Sequence, residues 1–212
     1  MTIQLYGFGE SGHSYKVALA MTLAGVDFDL RFVDFFKGEA RSPEFKAINP
    51  MGECPVFVDD DLTLTQSGLI LDHLTKQTGK FGGASEAEKR EVLRWTLWDN
   101  HKFSSQIGMV RFLMNFLPED KRPQEVIAFT QGRIKAALGV LDSHLADHTW
   151  VAGGNGPTNA DFSCCSYLFY PEPFGFDRSD WTHIDRWLSN IEGLDGWKHP
   201  YDLMPRAFAT GA

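Results

Sequence analysis

"NPMGECPVFVDDDLTLTQSGLIL", Asn49 to Leu71, holds a turn, a proline at the head of an extended run, an acidic hairpin turn and a helix start in close succession. "VFVD" and "LTLT" read as short strands, and the "DDD" between them is tight enough for an antiparallel hairpin. The "SGLILDHLTKQ" that follows has helical spacing, with Ile70, Leu71 and Leu74 on the inward face. A proline opening a strand after a Gly-rich turn is a candidate for a cis bond. Such a bond holds Cys54 extended, with its backbone N–H and C=O outside the sheet ladder and open to a peptide-like ligand. Gln66 and Ser67 stand at the helix start, where free N–H groups, a hydroxyl and the helix dipole together form a carboxylate site. Backbone pairing beside a carboxylate cradle implies a small peptide ligand.

Upstream, "TIQLY" and "FDLRFVD" read as strands, the second with Phe28, Leu30 and Phe32 on one face. Val17, Ala20, Met21 and Ala24 give a helix that ends at Gly25. The order is therefore β-α-β, a mixed connection, then β-β-α. "YGFGESGHSYKV" also spells Gly7-x-Gly9-x-x-Gly12, with Asp34 closing the next strand, which matches a dinucleotide fingerprint. That reading needs further right-handed βαβ crossovers, and here the alternation stops after four short strands. The simpler role for the glycines is a tight path from strand to helix.

From Ser85 onward helical spacing takes over. Residues 86–116 carry a wide apolar stripe; 123–146 opens at Pro123 and repeats Ile127, Ile134, Leu138, Leu141 and Leu145; "THIDRWLSNI" aligns Ile184, Trp187, Leu188 and Ile191. "KFGGAS" is the natural linker. The expected fold is an α/β first domain over 1–80 with a mixed four-stranded sheet, a linker at 81–85 and an all-helical domain over 86–212.

With 212 residues and a 43% hydrophobic share the chain is long enough for a real core, and its net charge of -8 argues against nucleic acid or an anionic membrane surface as partner. No apolar run approaches a bilayer span and "MTIQLYG" lacks the features of a signal peptide, so a cytoplasmic protein is expected. Three cysteines, two of them adjacent, do not make a disulfide framework. His144 and His148 lie four apart and could share a helix face as a metal pair. They also end a helix, where histidines cap carbonyls, and no third ligand is near in sequence, so no metal is expected.

The order of these features (strand-turn-helix with a serine, N-P-x-G-x-x-P, Q-S at a helix start, an all-helical half) resembles the cytosolic glutathione transferase family over essentially the whole chain. The first domain then corresponds to that family's thioredoxin-like domain. "GPTNADFSCCSYL" resembles the capping box and hydrophobic staple of its central C-terminal helix, with Thr158 as N-cap, Asp161 at N3, and Pro157 near Phe162. The resemblance implies glutathione as co-substrate, a homodimer, and a role in detoxification. It places Ser11 with the thiol-activating serine of the theta- and zeta-like classes, because "SGHSYKV" keeps the spacing from serine to the basic residue and valine of the helix. A hydroxyl donor and a helix N-terminus together favour the glutathione thiolate at neutral pH. The alternative is that Ser11 merely caps the helix, although Ser14 is the expected cap by position. Tyr6 is the other activator to weigh, since some classes use a tyrosine near the end of the first strand. Its spacing to the helix is one residue too long, and a packing role fits better.

By the same resemblance Glu53, Cys54, Pro55, Gln66, Ser67 and Lys37 contact glutathione. Two departures stand out: relatives often have histidine at Ala40 and lysine or glutamine at Glu53, both facing the glycine carboxylate. Repulsion from Glu53 costs on the order of 1 kcal/mol at a solvated site unless Lys37 or Arg41 compensates. Cys54 could act as a redox group but has no resolving partner in sequence. The electrophile, a small apolar or aromatic molecule, is expected against the helix after the linker. The candidates are His101, Phe103, Met109, Phe112, Met114 and Phe116, of which about two face the ligand while the rest are core. The "YPEPFGF" loop, Tyr170 to Phe176, either shapes substrate access or packs over a helix end. Two rival functions remain: a catalytically silent binding module on the same fold, which the Ala40 and Glu53 departures favour, and a glutathione-dependent disulfide reductase.

Overall fold

The computed structural model describes residues 2–208. Two compact units divide the chain: one takes in the chain to Lys80 and resumes at Asp195, and the other runs Phe81–Leu194. Assigning everything after residue 86 to the second unit overlooks the segment that begins at Asp195.

In the first unit β1 (Ile3–Gly7), β2 (Phe28–Phe32), β3 (Val56–Asp59) and β4 (Leu62–Thr65) form one mixed sheet in the order β2-β1-β3-β4. β1 and β2 are parallel, with Leu5 opposite Leu30, while β1–β3 and β3–β4 are antiparallel. The parallel pair is joined through α1 (Gly12–Ala24) and the antiparallel pair through a two-residue turn in which Asp60 adopts φ 49°. Aspartate tolerates that left-handed conformation, which suits the twist of a tight hairpin. β1 buries alternate residues, as a strand with one face on a core must. Phe28, Leu30 and Phe32 share a face on the edge strand β2, but they are only partly covered and Phe32 is exposed. The connection after β2 contains a further short helix, α2 (Pro43–Ile48), opened by Ser42 as N-cap and by Pro43. α3 (Ser67–Thr78) buries Ile70, Leu71 and Leu74. The arrangement is that of a thioredoxin-like domain.

α1 does not present a single inward stripe, because every residue from Ser14 to Met21 is buried. A helix covered on all sides lies within the unit. Part of its cover comes from beyond Asp195, where the Tyr15 hydroxyl donates to the Lys198 carbonyl at 2.8 Å.

The second unit is helical: α4 (Glu86–Trp98), α5 (Ser104–Arg111), α6 (Gln124–Leu145), α7 (Asn159–Cys165) and α8 (Thr182–Glu192). α9 (Pro200–Leu203) lies in the first unit. The helix expected over 86–116 is interrupted twice by π-helical turns, Asp99–Phe103 and Phe112–Phe116. At the first turn the buried Asp99 carboxylate accepts hydrogen bonds from Ser104 Oγ at 2.6 Å and from Ser163 Oγ of α7 at 2.7 Å. The turn thus tethers α4 and α5 to α7, a constraint the apolar spacing does not record.

α7 starts with the expected capping box, Thr158 and Asp161. The Asp161 carboxylate is fully buried and accepts four bonds. Thr158 N (2.7 Å) and Thr158 Oγ1 (2.9 Å) meet one oxygen; Val151 N (2.7 Å) and Trp187 Nε1 of α8 (2.9 Å) meet the other. One side chain therefore satisfies a helix start, a loop and a second helix. The Phe162 ring meets Phe81 edge-on at 4.8 Å. Removing the carboxylate leaves those donors buried and unpaired, so Asp161→Ala is expected to lower unfolding free energy by about 3 kcal/mol or more. Urea denaturation checks this, with Asp161→Asn intermediate because the amide accepts at only one of its two ends.

Candidate functional site

The loop between β1 and α1 carries Ser11, and the conformations of its neighbours decide which serine caps the helix. Ser11 has extended backbone angles (φ −85°, ψ 105°), and its Oγ accepts the Ser14 N–H at 3.1 Å. Ser11, not Ser14, is therefore the N-cap, because a cap must sit outside the helical φ/ψ region and Ser14 lies inside it. An oxygen that accepts a cap bond keeps its own proton to donate, so capping and hydrogen bonding to a ligand are compatible. Ser11 is 7% exposed. The glycines around it serve close approach rather than left-handed backbone: a Cβ on Gly7 would stand 2.8 Å from Ser14 Oγ, and one on Gly9 2.8 Å from the Pro205 carbonyl oxygen. Tyr6 lies off this loop, its hydroxyl donating to Gln4 Oε1 at 3.2 Å and its ring edge-on to Phe45.

Ser67 opens α3, and Gln66 before it holds φ 69°, an uncommon value for a residue with a side chain. Backbone held in such a region marks sites whose surroundings over-determine it. His13, in the first turn of α1, brings its Nδ1 to 3.4 Å from Ser67 Oγ. The starts of α1 and α3 therefore lie side by side, and both helices direct backbone N–H groups and positive dipole ends toward the same region.

Between them the turn at Asn49 is braced from within. Asn49 Nδ2 donates to the Glu53 carbonyl at 2.8 Å, and Asn49 Oδ1 accepts from Met51 N at 3.1 Å. The Glu53 carboxylate accepts from Gln66 Nε2 at 3.2 Å, so its charge is met by an amide. Lys37 and Arg41 do not supply that compensation: Lys37 pairs with Asp34 at 2.9 Å, and Arg41 is exposed. Ala40 is 1% exposed, in the cluster of Val33, Phe45 and Val56, so no ligand-facing surface exists at that side chain.

The Cys54–Pro55 bond is cis, and Cys54 stands two residues before the first rung of β3, Val56 opposite Tyr6. Burial pushes the Cys54 thiol up to about 12, and the Glu39 and Glu53 carboxylates push in the same direction. A thiol so disfavoured as an anion is a poor nucleophile.

In the second unit His101, Met109 and Phe112 are exposed, whereas Phe103 is fully buried and stacked on Trp98; Met114 and Phe116 are partly covered. The "YPEPFGF" loop is tied down by a group the sequence reading overlooked. Arg111 is buried, pairs with Glu172 at 2.7 Å and lies 3.9 Å from the Tyr170 ring centroid, while Asn115 Nδ2 donates to the Pro173 carbonyl at 2.9 Å. A lone arginine inside the apolar "GMVRFLM" was the available signal. His144 and His148 stack at 4.1 Å and bond to the carbonyls of Val151 and His144 respectively. Among the described residues no group of three or more His, Cys, Asp or Glu is placed to hold a metal.

Residues 1–76 match the family described as Glutathione S-transferase, N-terminal domain, and residues 103–195 match Glutathione S-transferase, C-terminal domain. Glutathione S-transferase 4 of Zea mays is 31% identical over 155 residues, 71% of this chain and 70% of its own. Disulfide-bond oxidoreductase YfcG of Escherichia coli is 28% identical over 196 residues, 89% of each chain. The match to Glutathione S-transferase 1 of Dianthus caryophyllus covers 66% of that protein's length. Among solved structures, a glutathione S-transferase from Xanthobacter autotrophicus superposes with a TM-score of 0.85 at 29% identity, covering 95% of this chain and 98% of that one.

The raised Cys54 thiol gives a direct test. At about pH 8 its thiolate fraction is expected to be about a thousand-fold below that of an ordinary cysteine. Native protein treated with iodoacetamide should therefore remain unmodified at Cys54 by mass spectrometry, while the unfolded chain is alkylated there.

Proposed function

The chain belongs to the glutathione transferase family, and we propose that it binds glutathione on the first unit and uses Ser11 to hold the thiol as thiolate for attack on a small apolar or aromatic electrophile. The observation that carries this reading is the adjacency of the α1 and α3 starts through His13 and Ser67. Glutathione is an anion at both the places this arrangement serves, a carboxylate and an ionised sulfur. Ser67 with the α3 N–H groups suits the carboxylate, and the Ser11 hydroxyl with the α1 N-terminus suits the sulfur. Cys54, Pro55 and Glu53 lie on the braced turn, where the ligand's backbone would pair. Glu53, tied to Gln66, repels the glycine carboxylate less than a free carboxylate does. Lys37 is left with Asp34 as its partner and contributes at most a screened attraction. Exposed Met109, Phe112 and His101 on the second unit favour an aromatic electrophile, whereas Phe103, fully buried and stacked on Trp98, offers a ligand no surface.

A second reading, reduction of disulfides by glutathione, is favoured by the similarity to the E. coli disulfide-bond oxidoreductase. In that case the attacking thiolate is again glutathione's, since Cys54 is held as thiol. Conjugation and disulfide-reduction assays run side by side separate the two.

Ser11→Ala is expected to raise the apparent pKa of the bound thiol and reduce turnover at about pH 6.5 by roughly ten-fold or more, the effect of losing one charge-assisted hydrogen bond. Glutathione should still bind. Ser67→Ala is expected to do the reverse, weakening binding while leaving the thiol pKa nearly unchanged. Ultraviolet absorbance of the bound thiolate against pH, with calorimetric titration of glutathione, reads both; a Ser11→Ala protein that titrates like the parent while Tyr6→Phe does not would move activation to Tyr6.

We also propose a homodimer. Leu93 and Leu97 on α4 and Phe129 (68% exposed) and Val140 on α6 recur at helical spacing on uncovered faces. Light scattering at micromolar concentration is expected to return twice the chain mass, and Phe129→Glu to shift the protein toward monomer.

A further inference from the structure

The connection between α6 and α7 carries the chain's one Asn-Gly pair, Asn155-Gly156. Its two ends are pinned by a single side chain, because the buried Asp161 carboxylate accepts Val151 N with one oxygen and Thr158 N with the other, each at 2.7 Å. Between those ends Gly153 N donates to the Trp150 carbonyl at 2.9 Å, and Gly153 and Gly154 turn through φ 84° and 63°, angles that suit glycine. Asn155, which follows, is exposed. Among the described residues nothing hydrogen-bonds to the Asn155 side chain or to the Gly156 N–H. A Cβ built on Gly156 would meet no atom within 4 Å. A side-chain amide and the main-chain nitrogen that follows it thus share an open stretch of loop, with neither group tethered.

We propose that Asn155 is a site of spontaneous deamidation, converted in the folded protein to aspartate and isoaspartate. The Gly156 nitrogen, on losing its proton, attacks the Asn155 side-chain carbonyl carbon. The new C–N bond closes a cyclic imide, and the Cγ–Nδ2 bond breaks to release ammonia, which carries the proton away. Water then opens the imide: attack at the side-chain carbonyl gives aspartate, and attack at the main-chain carbonyl gives isoaspartate. Water is the only other reactant. Glycine at 156 matters twice, since it has no side chain to obstruct the approach and its backbone reaches the angles that ring closure needs. The other asparagines lack these conditions. Asn49 precedes a proline, which has no N–H. Asn100 and Asn115 lie in the π-helical turns and Asn190 in α8, where the next N–H belongs to the helix's own hydrogen bonds. Asn159 is buried in the first turn of α7 and is followed by alanine. Each conversion at Asn155 adds one negative charge to a chain of net charge -8, and isoaspartate also inserts a methylene into the main chain between the ends that Asp161 holds.

The test incubates the native full-length parent and two variants in warm, mildly alkaline buffer, following each asparagine by peptide mass spectrometry and overall charge by isoelectric focusing. In the parent, Asn155 is expected to lose its amide well before any other asparagine. It should yield both isoaspartyl and aspartyl peptides, and a more acidic band that migrates with an Asn155→Asp standard. Gly156→Ala, which has room for its methyl group, should slow the conversion several-fold while its circular dichroism stays that of the parent. Asn155→Gln should give no such band, since the longer side chain closes a ring far less readily. An amide at 155 that survives in the native parent overturns the inference, whether or not the urea-unfolded chain converts there, and so does another asparagine converting first. Conversion to aspartate alone, or a Gly156→Ala rate equal to the parent's, overturns the imide route and the proposal with it.

Discussion

The contact between His13 of α1 and Ser67 of α3 ties together two helix starts, and the first unit is organised around that adjacency. A helix N-terminus exposes N–H groups that no residue of the helix can satisfy, and its dipole leaves partial positive charge there. One such terminus is a generic feature of proteins; two held side by side make a polar floor that suits a ligand with more than one anionic group. The parallel β1–β2 pair sets where α1 begins, and the β3–β4 hairpin sets where α3 begins. α1 follows β1 and α3 follows β4, the two strands that flank β3, so the two helix starts rise on either side of that strand.

Much of this was legible in the sequence because each element announces itself through local chemistry. The alternation in "TIQLY", the Asp-rich hairpin turn, the C-terminal Gly25 and the inward positions Ile70, Leu71 and Leu74 all reflect short-range periodicity and turn preference, and the structure repeats them. The capping box at Thr158 and Asp161 is of the same kind, since its two partners are three residues apart. The cap at Ser11 was misassigned to Ser14 for an instructive reason: both serines can cap, and only the backbone angles, set by the sheet and by the close approach of Gly9 to Pro205, decide between them.

Illegible features share a different property: they join residues far apart in sequence. Asp99 with Ser163, Arg111 with Glu172 and Glu10 with Arg206 are each a polar group buried against a partner dozens to hundreds of positions away. Periodicity cannot announce such a pair, although an isolated charge inside an apolar run, as Arg111 is, signals that one must exist. Ala40 shows the converse. Its departure from the resemblance looked consequential, but its side chain lies in the core of Val33, Phe45 and Val56 and has no surface to offer a ligand.

The return of the chain from Asp195 to the first unit bears on how the protein is made. A domain contiguous in sequence can finish folding as soon as it leaves the ribosome, but this one is assembled from both ends of the chain. Its sheet can pair early, while the Lys198 carbonyl over Tyr15 and the Ala207 and Phe208 N–H groups that meet Glu10 arrive only after the helical unit has been synthesised. Until then the nascent first unit carries an incompletely covered α1, the kind of exposed surface on which chaperones act. The long-range contacts that complete it also raise contact order and so slow its last folding step.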